Sequence, residues 1–193
     1  MTKSWETVHL ARNPFTSPEA LARLAEDQDG DVRAGVAQNP QTPPEVLERL
    51  VDDDAWNVRA IVARAKHTPP GTLVKLATDQ DPWVRAEVAL NPSTPPTVLI
   101  KLAGDANDLV HEQVVLNPST PPEALARLAG DASGWVRERV AQHPNSPPEV
   151  FEALVERCKA GDADSRRVLA AVAANEAAPV GIRMAAQIRA TAG

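Results

Sequence analysis

Two kinds of apolar pair alternate along this chain. Leucines three apart (Leu21/Leu24, Leu47/Leu50, Leu73/Leu76, Leu99/Leu102, Leu125/Leu128) take turns with valines four apart (Val32/Val36, Val58/Val62, Val84/Val88, Val110/Val114, Val136/Val140). Either spacing puts both members on one face of a helix. The pattern therefore predicts two short helices per unit, helix A with the leucines and helix B with the valines. It returns every 26 residues, in units 13–38, 39–64, 65–90, 91–116 and 117–142. Internal periodicity of this kind predicts stacked layers that share one continuous core.

The polar positions between the pairs read as helix punctuation. Each helix A is preceded by a Thr (Thr16, Thr42, Thr68, Thr94, Thr120), with a Glu three residues later at Glu19, Glu45 and Glu123. That spacing predicts capping boxes, weaker where Gly71 and Thr97 replace the Glu. The prolines that follow suit a first helical turn. Asp29, Asp81, Asn107 and Ser133 are predicted N-caps of helix B. An Asn-Pro pair then stops helix B, the Asn in a left-handed conformation. Ala65-Lys66 breaks that rule and predicts a differently shaped turn.

The ends depart from the period. Residues 5–12 form an N-terminal half-unit in which Trp5 aligns with Trp83 and Trp135, and Leu10 with Val36 and Val88. Residues 143–175 form a modified sixth unit, which aligns with the fifth only if six residues are inserted near Gly161. Residues 176–193, rich in Ala, are expected to be a closing helix. The expectation is a single repeat domain over 1–193.

Composition narrows the functional classes. Only 3% of residues are aromatic, so the core must be Leu, Val and Ala, which suits thin helical layers. A net charge of -6 argues against a nucleic-acid backbone as the main partner. The single Cys158 excludes a disulfide framework or a multi-cysteine metal site. The chain contains no apolar run long enough for a membrane span and no signal-peptide pattern, so a cytoplasmic location is the default expectation.

The consensus NPxTPPExLxxLAxDxDxxVRxxVAxNP resembles the leucine-rich repeat variant family, over about residues 5–175. The resemblance implies an all-α, right-handed solenoid of alternating short helices with no β-sheet, one helix often 3₁₀ in character. The pattern is also similar to HEAT and armadillo arrays. A 26-residue unit leaves room for both helices to be α. The cysteine-ligated iron–sulfur segment known in the family has no counterpart among the cysteines here, so no cofactor is expected.

Three recurring sets of positions invite a functional reading. The series Arg33, Arg59, Arg85, His111, Arg137 runs beside Asp27, Asp53, Asp79, Asp105, Asp131. The two series recur together, which predicts an ion-pair ladder within or between repeats. His111 makes one rung pH-sensitive if it pairs with a carboxylate, although a merely tolerated substitution is the simpler expectation. The series Arg23, Arg49, Lys75, Lys101, Arg127 on helix A predicts a solvated ridge, with Glu-to-Arg pairs four apart in three repeats. The third set varies between repeats on one flank of helix B: Ile61/Arg64, Trp83/Glu87/Leu90, Leu109/Gln113/Leu116 and Trp135/Arg139. Two readings of its Trp row stand, an exposed binding face and packing between repeats; the flank is the candidate site. In the HEAT-like arrays that the chain resembles, helix B lines the concave side. His9, His67, His111 and His143 show no ligand spacing, and no nucleophile or phosphate-loop motif is present. The sequence therefore points to a non-enzymatic scaffold that binds a protein or peptide and is monomeric. The alternatives are a nucleic-acid-binding solenoid and a homo-oligomeric building block.

Overall fold

The computed structural model describes residues 3–159 and 162–191, with side chains from Trp5 onward. Fourteen α-helices and no strand occur among them. The chain divides into two compact units, residues 1–98 and 99–193.

In the first unit, α1 (Lys3–Arg12), α3 (Gly30–Gln38), α5 (Trp56–Arg64) and α7 (Pro82–Leu90) are the helices B, each packed against the next. The helices A are α2 (Pro18–Leu24), α4 (Pro44–Leu50) and α6 (Pro70–Leu76). The valine pairs of α3, α5 and α7 are buried, as are Leu21, Leu47, Leu50, Leu73 and Leu76. Leu24 is only half-buried and Leu10 is 48% exposed, unlike their equivalents. The reason is positional: among the described residues no earlier helix A lies beside α2, and none pairs with α1. Ala11 of α1 packs onto Gly35 so closely that an added Cβ would lie 3.0 Å from the alanine methyl. This position holds Ile61 in the next repeat, so the glycine sets the approach of the first layer.

The second unit follows the same plan. After α8 (Pro96–Leu102), the helices B are α9 (Asp108–Leu116), α11 (Gly134–Gln142) and α13 (Ala163–Ala174). The helices A are α10 (Pro122–Leu128) and α12 (Pro148–Arg157). Phe151 fills the core position of the modified unit and is fully buried. The six inserted residues lengthen the two helices, α12 to 10 residues against 7 in α10 and α13 to 12 against 9 in α11, and Gly161 itself lies outside the described residues. The last described helix, α14 (Val180–Thr191), packs on α12 and α13. Its Arg189 donates to the carbonyl oxygens of Val155 and Cys158, both at 2.7 Å, and so holds the end of α12.

The punctuation differs from the sequence reading in three ways. The threonines do not cap helix A. Each hydroxyl instead donates back to a carbonyl in the last turn of the preceding helix B: Thr16 to Leu10 (2.6 Å), Thr42 to Val36, Thr68 to Val62, Thr94 to Val88 and Thr120 to Val114. Ser146 does the same to Val140. The cap position of α4, α6, α10 and α12 is taken by a proline without a side-chain bond, whereas at α2 Ser17 makes a side-chain cap, to Ala20 N–H. A residue before proline is driven to extended backbone, so each Thr-Pro-Pro run shifts the helix start beyond the reach of the threonine.

The asparagines are not left-handed either. Asn39 has φ -73° and ψ 125°, and Asn91 has φ -66° and ψ 126°. Their amides reach across to the previous repeat instead. Asn39 Nδ2 donates to the Ala11 and Asn13 carbonyls (2.7 and 2.8 Å), and Asn91 Nδ2 to those of Ala63 and Ala65 (2.6 and 3.0 Å). Asn175 donates to Ala141, which fixes the insertion register read from the sequence. The turn at Ala65 keeps the same backbone (φ -63°, ψ 125°), contrary to expectation. It lacks only the amide. The predicted N-caps of helix B are present: Asp29, Asp81, Asn107 and Ser133 each accept an N–H of the first turn.

Candidate partner-binding face

The candidate residues of the first unit meet on the adjoining helices α5 and α7. Trp83, in the first turn of α7, is 56% exposed, and Leu90, in the last, is 40% exposed. Between them Glu87 is half-buried and faces Arg64 of α5 at 3.7 Å. Burial raises the pKa of Glu87, with the Arg64 charge opposing the rise, and its Oε2 is buried without a hydrogen-bond partner. Ile61 is half-buried and lines a cavity of about 350 Å³ with Gln38, Arg64, Ala65, Lys66 and His67. A smaller cavity of about 160 Å³ adjoins it, lined by Arg64, Lys66, Glu87, Leu90, Asn91 and Pro92. Arg64 and Lys66 border both. The larger cavity lies where Ala65-Lys66 stands in place of Asn-Pro. Burial lowers the pKa of His67 there, and its Nε2 has no partner.

In the second unit, Leu116 is exposed while Leu109 and Gln113 are half-buried on α9. On the adjoining α11 the Arg139 guanidinium lies over the Trp135 ring at 5.2 Å, and its Nη1 donates to Gln142 Oε1 at 2.7 Å. Trp135 is thus half-covered by its own helix, whereas Trp83 is not. Trp5 is exposed and meets the His9 ring edge-on at 5.2 Å. The sequence reading missed Trp56, exposed at the start of α5. The equivalent residues Gly30, Pro82, Asp108 and Gly134 are small or polar, and that contrast was the available signal.

The arginine–aspartate series forms a ladder in which the rungs at Arg33, Arg59 and His111 each reach the aspartate of the next repeat. Arg33 Nε and Nη2 donate to Asp53 at 2.6 and 2.9 Å, and Arg59 pairs likewise with Asp79 at 2.6 and 3.0 Å. The aspartates also accept the N–H that opens helix B, as Asp53 does from Ala55 and Asp79 from Asp81. Burial pushes these carboxyls upward, but the guanidinium and the N–H outweigh it, and the pKa of each ends lowered. His111 Nδ1 lies 2.7 Å from Asp131 Oδ2, so the histidine keeps its rung. The helix-A cations are exposed as expected, but the Glu19/Arg23, Glu45/Arg49 and Glu123/Arg127 pairs do not close among the described residues. Arg49 reaches Glu26 instead, at 3.1 Å.

Cys158 is buried, and burial raises the pKa of its thiol, which suits a packing role better than a nucleophilic one. Among the described residues no group of three or more His, Cys, Asp or Glu is arranged to hold a metal ion. No helix among them is long and apolar enough to cross a membrane.

Residues 30–55, 56–81 and 109–133 match the leucine rich repeat variant profile. Those three segments are similar to leucine-rich repeat variant units. A solved structure described as a leucine-rich repeat variant with a novel repetitive protein structural motif aligns over 95% of this chain and 80% of its own, at 28% identity and a TM-score of 0.62. A crystal structure of an engineered protein aligns over 94% of this chain and 66% of its own, at 19% identity and a TM-score of 0.48. No curated protein sequence matches the chain. The fold is a helical-repeat solenoid of about 26-residue units, like that of the solved leucine-rich repeat variant.

Proposed function

We propose that this repeat scaffold binds a protein or peptide on the helix-B flank, centred on Trp83. The observation that carries the reading is an apolar pair, Trp83 and Leu90, left exposed around a half-buried Glu87 and its Arg64 neighbour. Aromatic anchors bordered by partly desolvated charges are where binding energy concentrates. Two adjoining cavities on the same flank supply concave ground for a partner's side chains. The absence of a catalytic constellation in the sequence fits a non-enzymatic role.

The test is Trp83→Ala. Affinity capture from the native cell identifies partners of the wild type, and the purified partner is then titrated against both proteins. The variant should melt within a few degrees of wild type and lose at least tenfold in affinity. Unaltered affinity would remove Trp83 from the site. A solution mass measured across the same concentration range separates this reading from self-assembly.

A further inference from the structure

Arg137 stands two residues from both Trp135 and Arg139 on α11, which turns it to the opposite side of that helix. Its guanidinium is gripped as the other rungs are. Nη1 donates to the carbonyls of Asp131 (2.7 Å) and Ala132 (2.8 Å), just as Arg33 Nη1 donates to Asp27 and Gln28, and Arg59 Nη1 to Asp53 and Asp54. In those rungs the grip presents the Nε–Nη2 edge to an aspartate of the following repeat. Arg137 has the grip without the aspartate. The residue one period beyond Asp131 is Arg157, because α12 is 10 residues long where α10 is 7 and carries the chain past that point. Among the described residues no carboxylate comes within ion-pair distance of Arg137.

Arg137 instead lines a cavity of about 510 Å³ with Arg157, Lys159, Asp162 and Ser165. Three cations thus face one carboxylate, and that carboxylate is already engaged. Asp162 caps α13, accepting the Ser165 N–H at 2.9 Å, the Ser165 hydroxyl at 2.6 Å and the Asp164 N–H at 3.4 Å. Nearby acids are committed too: Asp164 and Glu138 to Arg167, and Asp131 to His111.

We propose that the open end of the ladder is an oxyanion site that takes a carboxylate from an acidic peptide segment. A planar fork of two N–H groups selects a planar carboxylate, and Asp53 and Asp79 fill that geometry in the completed rungs. Arg157 and Lys159 are exposed and favour a ligand with more than one negative charge.

The probe is an N-acetylated, C-amidated tri-aspartate titrated into the full chain at constant ionic strength. The readouts are the Arg137 Nε–H resonance and the backbone amides of Lys159 and Ser165. Tri-asparagine and inorganic phosphate form parallel arms. Saturable shifts with tri-aspartate and none with tri-asparagine are expected. Arg137→Gln should weaken binding at least tenfold. Because Arg137 also braces α11, the exposed double change Arg157→Gln with Lys159→Gln is the second variant. It should weaken binding several-fold with an unchanged melting temperature. Absent or non-saturable shifts at Arg137, equal response to tri-asparagine, saturation by phosphate alone, or full affinity in both variants would each overturn the proposal.

Discussion

Asn39 Nδ2 lies 2.7 Å from the carbonyl oxygen of Ala11, 28 residues earlier in the chain. The same amide nitrogen also donates to Asn13, while Oδ1 accepts the N–H of Gln41. One buried carboxamide thereby ties the end of one helix B to the end of the previous one. Ala65 occupies the equivalent place without the amide, beside the cavity of about 350 Å³. Ala65→Asn should therefore stabilise the protein by roughly 1–2 kcal/mol, at about 1 kcal/mol per net hydrogen bond. Its amide would meet the Ala37 and Asn39 carbonyls and the His67 N–H. Asn39→Ala should cost about 2 kcal/mol by removing both bonds and leaving the buried Ala11 carbonyl without its amide partner, while the Asn13 carbonyl keeps the Thr16 N–H. Urea denaturation of the two variants measures both, and an Ala65→Asn protein less stable than wild type would show the slot to be occupied.

The threonine staples give a second contrast. Thr42→Val keeps the volume but removes one of the two hydrogen bonds to the Val36 carbonyl, which keeps the Asn39 N–H, and should cost roughly 0.5–1.5 kcal/mol. Thr42→Ser keeps the hydroxyl and should cost about 1 kcal/mol or less, since Ser146 already fills the role in the sixth unit. Glu45→Ala, which a capping box makes costly, should change stability by less than about 0.5 kcal/mol. Thermal melts of the three variants rank them, and a Glu45→Ala loss as large as that of Thr42→Val would reinstate the box.

These residues show where sequence reading stops. The Leu and Val pairs were legible because burial follows helical periodicity, and all but Leu24 lie where the spacing placed them. The ladder was legible because its two partners recur together. Thr42 and Asn39 were misread because each carries a strong local propensity, one for caps and one for left-handed turns. Their real partners are carbonyls six and 28 residues back, and a backbone carbonyl leaves no mark on the residue type that bears it. The helix-B flank was legible as a set of variable positions, but the different exposure of Trp83 and Trp135 was not, because it depends on whether an Arg folds over the ring.

The rung between Arg59 and Asp79 is the most enclosed, with side chains 8% and 7% exposed. Removing one partner leaves a charge with little access to water. Arg59→Ala should cost roughly 3–5 kcal/mol, whereas Arg59→Ala with Asp79→Ala should cost clearly less than the two single changes added together. A double-mutant cycle in urea gives the coupling. Additivity within about 0.5 kcal/mol would mean that the rung braces the backbone without mattering as a pair.

His143 stands where Asn39, Asn91 and Asn117 stand in earlier units, and it copies their bonds with a ring. Its Nδ1 accepts the Asn145 N–H at 3.1 Å, so Nε2 carries the proton and donates to the Asn117 carbonyl, also at 3.1 Å. A second proton on Nδ1 would set two donors against each other. Burial lowers the pKa of this histidine, with the Asn117 carbonyl opposing, and burial alone lowers that of His67. The unfolded chain therefore takes up protons first as pH falls. Stability is full above about pH 6.5 and declines below it, by at most about 1.4 kcal/mol per pH unit for each histidine. Once both folded-state pKa values are passed the decline stops, until protonation of Asp53 and Asp79 removes further stability below the ordinary carboxylate range. His143→Asn replaces the ring with the residue of the other units. It should leave stability at pH 8 nearly unchanged and flatten the slope between pH 6.5 and pH 5, with the His67 contribution remaining. Urea midpoints across that window decide the matter, and a slope equal to wild type in the variant would place the acid sensitivity elsewhere.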